Sequence, residues 1–245
     1  MQAQDRLIVA LDVSSLEEAR LIVEELKGSV GMFKIGLEMF TACGTEVFEF
    51  IESYKSEKNT RFFFDGKFHD IPNTVAAACR NTTRPNVAMF NIHAQGGIEM
   101  MSAAAKATRE QAQNLKISKP ILIAVTVLTS ISESILHEQI RTSKDLDLPQ
   151  YVVHLAKLAK EAGLDGVVAS PKEVPLIRSA CGDDFVIVTP GIRPNWPELG
   201  SDDQKRVLTP SQAIAQGSTY LVIGRPITKA QNRLDAVNRL VAELV

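Results

Sequence analysis

The chain has 245 residues, of which 45% are hydrophobic, 23% charged and 6% aromatic, and its 27 basic and 29 acidic side chains leave a formal net charge of -2. So even a balance gives no bulk attraction to nucleic acid or to an anionic membrane, and an anionic ligand has to be held by a local cluster. The composition is that of an ordinary globular protein able to bury a sizeable core, and its longest apolar runs, such as Ile121–Val125, are far too short to span a bilayer.

The opening residues Met1–Arg6 show no basic segment leading into an apolar stretch, so no secretory signal is expected. Strand-like runs are predicted at Leu7–Leu11, Phe33–Ile35, Arg61–Phe64, Met89–Ile92, Ile121–Leu128, Gly166–Ala169, Phe185–Val188 and Tyr220–Ile223. Amphipathic stretches lie between them at Leu16–Leu26, Gly97–Gln113, Tyr151–Glu161 and Ala230–Leu244, with helix-start signals at Ser14-Ser15 and Pro171. Eight such alternations, with no dinucleotide fingerprint, P-loop or linker, predict an α/β fold, a single-domain (β/α)8 TIM barrel over residues 1–245. Cys43, Cys79 and Cys181 are widely spaced and in no metal-ligand pattern. They read as small buried side chains of a protein in a reducing, cytoplasmic compartment.

Active sites of this fold lie at the C-terminal ends of the strands, and the polar residues sort to those ends. Asp12 follows the first predicted strand, Lys34 lies in the second, Asp65 and Lys67 close the third, and His93 follows the fourth. Thr129-Ser130 follow the fifth, Ser170 the sixth, Pro190–Arg193 the seventh and Gly224-Arg225 the eighth. Strand alternation puts Asp65 and Lys67 on one wall, with Gly66 and Phe68 facing the other way. Burying an acid and an ammonium together is costly without further compensation, and Asp70 is the nearby residue able to complete the arrangement.

Asp65-x-Lys67-x-x-Asp70, within Lys67-Phe68-His69-Asp70-Ile71-Pro72-Asn73-Thr74, resembles the signature of the orotidine 5'-phosphate decarboxylases. Ala10-Leu11-Asp12, Phe33-Lys34-Ile35-Gly36, Val127-Leu128-Thr129-Ser130, Thr189-Pro190-Gly191-Ile192-Arg193 and Val222–Thr228 occur in the family's order, so the resemblance covers essentially the whole chain. Gly66 stands where the family usually has leucine. By strand parity it faces the helices, so lost packing and a looser strand are expected there rather than lost chemistry.

The resemblance implies metal- and cofactor-independent decarboxylation of orotidine 5'-monophosphate to uridine 5'-monophosphate and carbon dioxide. The charge developing at C6 lies in the ring plane and cannot delocalise, so a fixed cation beside it is the main electrostatic help available and can donate the proton. Lys67 is the candidate for that cation, and Asp65 would hold it while crowding the substrate carboxylate. The family pattern adds Lys34 and Asp70 as catalytic residues and places Asp70, with Thr74 for the ribose, in the neighbouring subunit's site, which implies a homodimer. It gives Asp12 and Lys34 the ribose hydroxyls, Thr129 the pyrimidine amide edge, and Pro190, Arg193, Gln204, Gly224 and Arg225 the phosphate region, where arginine donors and a close backbone suit an anion. Related barrels that act on sugar phosphates share the Asp-x-Lys-x-x-Asp motif but bind magnesium through an acidic residue where this chain has Lys34, and a cation there opposes a divalent metal.

Structural readings stand beside several of these roles. Asp70 suits a helix cap ahead of Pro72, and Asp12 suits a cap near Ser14. Lys34 suits a structural pair with Asp12 or Asp65. Gln204 falls in a charged stretch typical of a solvated loop, and His69 and His93 suit structural histidines.

Overall fold

The computed structural model describes residues 1–57, 59–196 and 208–244. Eight parallel strands pair in sequence order, and the eighth pairs with the first to close a barrel. They are β1 (Leu7–Leu11), β2 (Met32–Ile35), β3 (Phe62–Phe68), β4 (Val87–His93), β5 (Ile121–Val125), β6 (Gly166–Val168), β7 (Val186–Thr189) and β8 (Tyr220–Ile223). The helices are α1 (Leu16–Leu26), α2 (Leu37–Cys43), α3 (Glu46–Glu52), α4 (Pro72–Thr82), α5 (Gly97–Leu115), α6 (Leu148–Glu161), α7 (Val174–Cys181), α8 (Pro210–Ala215), α9 (Arg225–Thr228) and α10 (Arg233–Glu243).

Strand parity divides the apolar residues between two cores. Ile8, Met32, Phe63, Met89, Ile123, Val188 and Tyr220 point inward and fill the barrel. Their strand neighbours, among them Leu7, Val9, Phe33, Phe62, Phe64, Phe90 and Leu122, point outward against the helices. Each fully buried phenyl ring removes enough apolar surface from water to contribute about 1.5–3 kcal/mol. Two residues further along the same inward face come Ala10, Lys34, Asp65 and Asn91, so the filling turns from apolar to charged and polar toward the C-terminal mouth.

Caps and partners set the ends that periodicity alone leaves open. Ser15 accepts the Glu18 N–H at 3.2 Å and starts α1, leaving Asp12 out of the capping role. Asp147 accepts from Gln150 N and Pro149 sits in the first turn, so α6 begins at Leu148 rather than Tyr151. Asn232 caps α10, which begins at Arg233 rather than Ala230. β5 stops at Val125 and not at Leu128 because its neighbour β6 ends at Val168. The short helices α2 and α3 bring Phe40 and Phe48 against Phe64 in a tilted and edge-on cluster, an element pair the predicted runs did not include.

Gly66 does not leave the gap expected of a missing leucine. A Cβ added there would meet the Phe64 ring at 2.6 Å and the Phe68 ring at 3.1 Å. The two rings, with centroids 6.0 Å apart, occupy that space, so this strand is packed by aromatic substitution around a glycine.

Candidate active site

A cavity of about 280 Å³ opens at the C-terminal mouth of the barrel, lined by Asp12, Lys34, Asp65, Lys67, Thr129, Pro190, Arg193, Gly224 and Arg225 together with apolar side chains such as Ala10, Phe63, Val125, Val168, Val188 and Val222. Almost every sequence-selected residue therefore meets in one place, although the residues come from six of the eight strands or the loops after them. Asp70 and Thr74 are exposed and lie outside this lining. Gln204 lies outside the described residues.

The charged groups form a continuous row. Lys34 Nζ lies 3.1 Å from Asp12 Oδ1 and 3.5 Å from Asp65 Oδ2, and Lys67 Nζ lies 2.7 Å from Asp65 Oδ1. Signs alternate along Asp12, Lys34, Asp65 and Lys67, so each inner charge has an opposite neighbour on both sides. That arrangement answers the cost of burial for Lys34, whose side chain is 11% exposed, and Asp65, at 13%. Asp12, at 57%, is largely solvated and its bond to Lys34 is correspondingly weakened. The row holds the first three of the expected Lys34, Asp65, Lys67 and Asp70, the last of which was expected from a neighbouring subunit. Within one chain Asp12 begins it, and Asp70 instead accepts the Ile71 N–H at 2.6 Å just ahead of α4. Ile71 occupies the cap position of that helix, so Asp70 is not its N-cap either.

Asp65 and Lys67 do share a wall, but not through simple alternation. Phe64 pairs with Phe90 and Phe68 with Ile92, so Asp65, Gly66 and Lys67 together oppose Asn91 alone. This bulge puts Lys67 at φ +50°, a left-handed conformation that costs a residue with a Cβ about 1–2 kcal/mol. Asn91, fully buried, holds the bulge: its Oδ1 accepts the Lys67 backbone N–H at 2.8 Å and its Nδ2 donates to Asp65 Oδ1 at 2.6 Å. A backbone N–H must meet the amide oxygen, which leaves the amide nitrogen for the carboxylate and fixes the side-chain orientation chemically. Asn91 was absent from the sequence-selected residues. Its signal was an amide at an inward-facing position, two residues before His93, inside an otherwise apolar strand.

His69 and His93 stack beside the row, ring centroids 5.3 Å apart and 26° from parallel. Burial above all, then the neighbouring His69 and Lys67, hold His93 below its usual pKa, with Asp65 opposing. Its Nδ1 is buried without a hydrogen-bond partner among the described residues. The expectation of ordinary structural histidines therefore holds only in part, because His93 is packed but not fully satisfied.

At the opposite side of the mouth, Arg193 is tied down by its backbone, which donates to Leu208 O at 3.0 Å while Ile192 bridges Leu208. Gly224 precedes the short helix α9, whose first residue is Arg225. A Cβ at Gly224 would make only ordinary contacts, 3.5 Å from Ala10 and from Asp12. Among the described residues there is no cluster of three or more His, Cys, Asp or Glu side chains suited to a metal. No described helix is long and apolar enough to cross a membrane.

Residues 5–240 match the family described as Orotidine 5'-phosphate decarboxylase / HUMPS family. An orotidine 5'-phosphate decarboxylase of Syntrophomonas wolfei is 50% identical over 244 residues, covering 100% of this chain and 99% of the relative. One of Moorella thermoacetica is 48% identical over 244 residues, covering 100% and 94%. The crystal structure of orotidine 5'-phosphate decarboxylase from Lactobacillus acidophilus superposes with a TM-score of 0.83 at 34% identity, covering 97% of this chain and 98% of that one.

Proposed function

From the premise that this chain belongs to the orotidine 5'-phosphate decarboxylase / HUMPS family, we propose that its charged row performs the decarboxylation directly, without metal or cofactor. The reaction is conversion of orotidine 5'-monophosphate to uridine 5'-monophosphate and carbon dioxide in pyrimidine biosynthesis. The observation that carries the mechanism is the pair of ammonium groups held by Asp65, Lys34 at 3.5 Å and Lys67 at 2.7 Å, at the mouth of a closed apolar barrel.

In this reading the C6–carboxylate bond breaks and its electron pair stays on C6. Lys67 stabilises that pair in a site shielded from water and then gives C6 a proton from Nζ. The resulting neutral amine recovers a proton from solvent. Asp65 holds the ammonium and, lying beside the departing carboxylate, opposes the bound substrate more than the transition state. Asp12 and Lys34 take the ribose hydroxyls, Thr129 the pyrimidine amide edge, and Arg193 and Arg225 the phosphate, with Gly224 and Pro190 shaping the approach; Gln204, outside the described residues, is the family pattern's further phosphate donor.

The working unit is a homodimer with shared sites. Asp70 and Thr74 are exposed beside Ile71, itself 66% exposed, and lie off their own chain's cavity, which supports their service in a partner's site. Residues 1–245 act as one barrel domain. Free thiols at Cys43, Cys79 and Cys181 support a cytoplasmic location.

The test follows the loss of orotidine 5'-monophosphate absorbance with purified protein in EDTA. Full turnover in chelator is expected, since Lys34 and Lys67 carry the positive charge. Activity that vanishes on chelation and returns with magnesium overturns the reading in favour of the magnesium-dependent sugar-phosphate barrels.

A further inference from the structure

Lys67 reaches the cavity because its backbone leaves the strand, and a single amide spans that departure. We propose that Asn91 is a positioning residue for proton transfer: Oδ1 fixes the Lys67 backbone, Nδ2 fixes the Asp65 carboxylate, and together they set where the ammonium stands. The geometry is specific to this role. Asn91 is fully buried on the inward face of β4, and both of its hydrogen bonds end on the charged pair, 2.8 Å to Lys67 N and 2.6 Å to Asp65 Oδ1. The inward positions beyond the apolar layer on β5 and β6 carry Val125 and Val168, so packing alone does not call for an amide at this level of the barrel. Three residues of β3 oppose Asn91 alone, so without it the Lys67 N–H has no strand partner at that point.

A bond to the carboxylate alone would leave the left-handed turn at Lys67 unsupported. A bond to the backbone alone would let Asp65 rotate toward Lys34, its other ion-pair partner at 3.5 Å. Holding both makes the separation of Lys67 and Asp65 a property of one rigid side chain. Misplacing a reacting group by an ångström costs about 100-fold in rate.

This inference rests on the decarboxylase reading, and Asn91→Asp separates the two. The change preserves shape and the acceptor for Lys67 N–H but replaces the donor to Asp65 with a second carboxylate. The charged and titratable groups around it are Asp65 and Lys67 on β3, Lys34 on β2, and His69 and His93 at the adjoining strand ends. Two carboxylates in contact share a proton more readily than either alone binds one, so lowering pH restores a donor between them.

With sites counted by stoichiometric binding of uridine 5'-monophosphate, Asn91→Asp should lower kcat about 100-fold at neutral pH with KM little changed. The ratio of its kcat to wild type should climb up to about tenfold per pH unit on acidification while one proton returns. Asn91→Ser, which adds no charge, should lose kcat with no such recovery, and it decides the kcat-against-KM split if the aspartate variant folds poorly. Wild-type-like kcat per site in both variants, or losses in a constant ratio to wild type at every pH with KM rising alongside, overturns the positioning role. Absence of turnover in the wild-type protein overturns the decarboxylase reading instead.

Discussion

Asp65 Oδ1 lies 2.7 Å from Lys67 Nζ across a bulge, so two residues adjacent but one in sequence face each other through a break in the strand rather than along its pleat. The ammonium is thereby both paired and directed inward. If it is the group that meets C6, its removal acts on the transition state and leaves most ground-state binding in place. Lys67→Ala should lower kcat about 10⁴-fold, the upper end for a general acid, while thermal melting and affinity for uridine 5'-monophosphate change little. Turnover close to wild type in that variant removes Lys67 from proton donation.

Arg225 is exposed at the rim of the same cavity, as the first residue of α9 just after β8. Binding energy from a non-reacting phosphate is spent in holding the charged complex together, so its loss appears in kcat/KM although no bond to phosphorus changes. Arg225→Ala should lower kcat/KM strongly. Free phosphite dianion added to a substrate lacking the phosphate should accelerate the wild-type enzyme and accelerate Arg225→Ala much less. Equal acceleration of both detaches Arg225 from the phosphate.

His93 supplies a pH dependence of stability. Its pKa in the folded protein lies below the ordinary 6.5, chiefly through burial, with His69 and Lys67 adding to the effect and Asp65 opposing it. The unfolded chain therefore binds the proton more readily, and stability rises with pH across that interval. The contribution is present above about 6.5 and is lost as pH falls toward the lower folded value. His93→Asn should flatten the decline in Tm between about pH 7.5 and 5.5, measured by calorimetry. An unchanged slope assigns the decline to other groups.

Most of the barrel was legible because its strands are apolar runs closed by polar residues, as in Leu7–Leu11 followed by Asp12, and inward parity carries Phe63 to Asp65 and Met32 to Lys34. What period-two reasoning does not encode is where a strand breaks its period. Lys67 is a lysine in a conformation usually left to glycine, and nothing local in Asp65-Gly66-Lys67 announces it. The stabilising contact comes from Asn91, 24 positions along the chain, and only three-dimensional closure brings it there. Gly66 misled for a related reason: the rings that fill its space belong to Phe64 and Phe68, two residues away on either side, and strand parity alone does not say how far they lean along the strand over the glycine.

Asp70 gives the sharpest test, because its own chain leaves it exposed, bonded to Ile71 N and outside the cavity. In a two-fold dimer with shared sites, each site draws Lys34, Asp65 and Lys67 from one chain and Asp70 and Thr74 from the other. Homodimers of Lys67→Ala and of Asp70→Ala should each be nearly inactive. A heterodimer of the two gathers both lesions into one site and leaves the other with a full native set. Unfolding and refolding an equimolar mixture should thus restore about a quarter of wild-type activity, since random pairing makes half the dimers mixed and half the sites in those native. If Asp70 serves its own chain, every site in the mixture carries a lesion, and the refolded mixture stays as inactive as its parents.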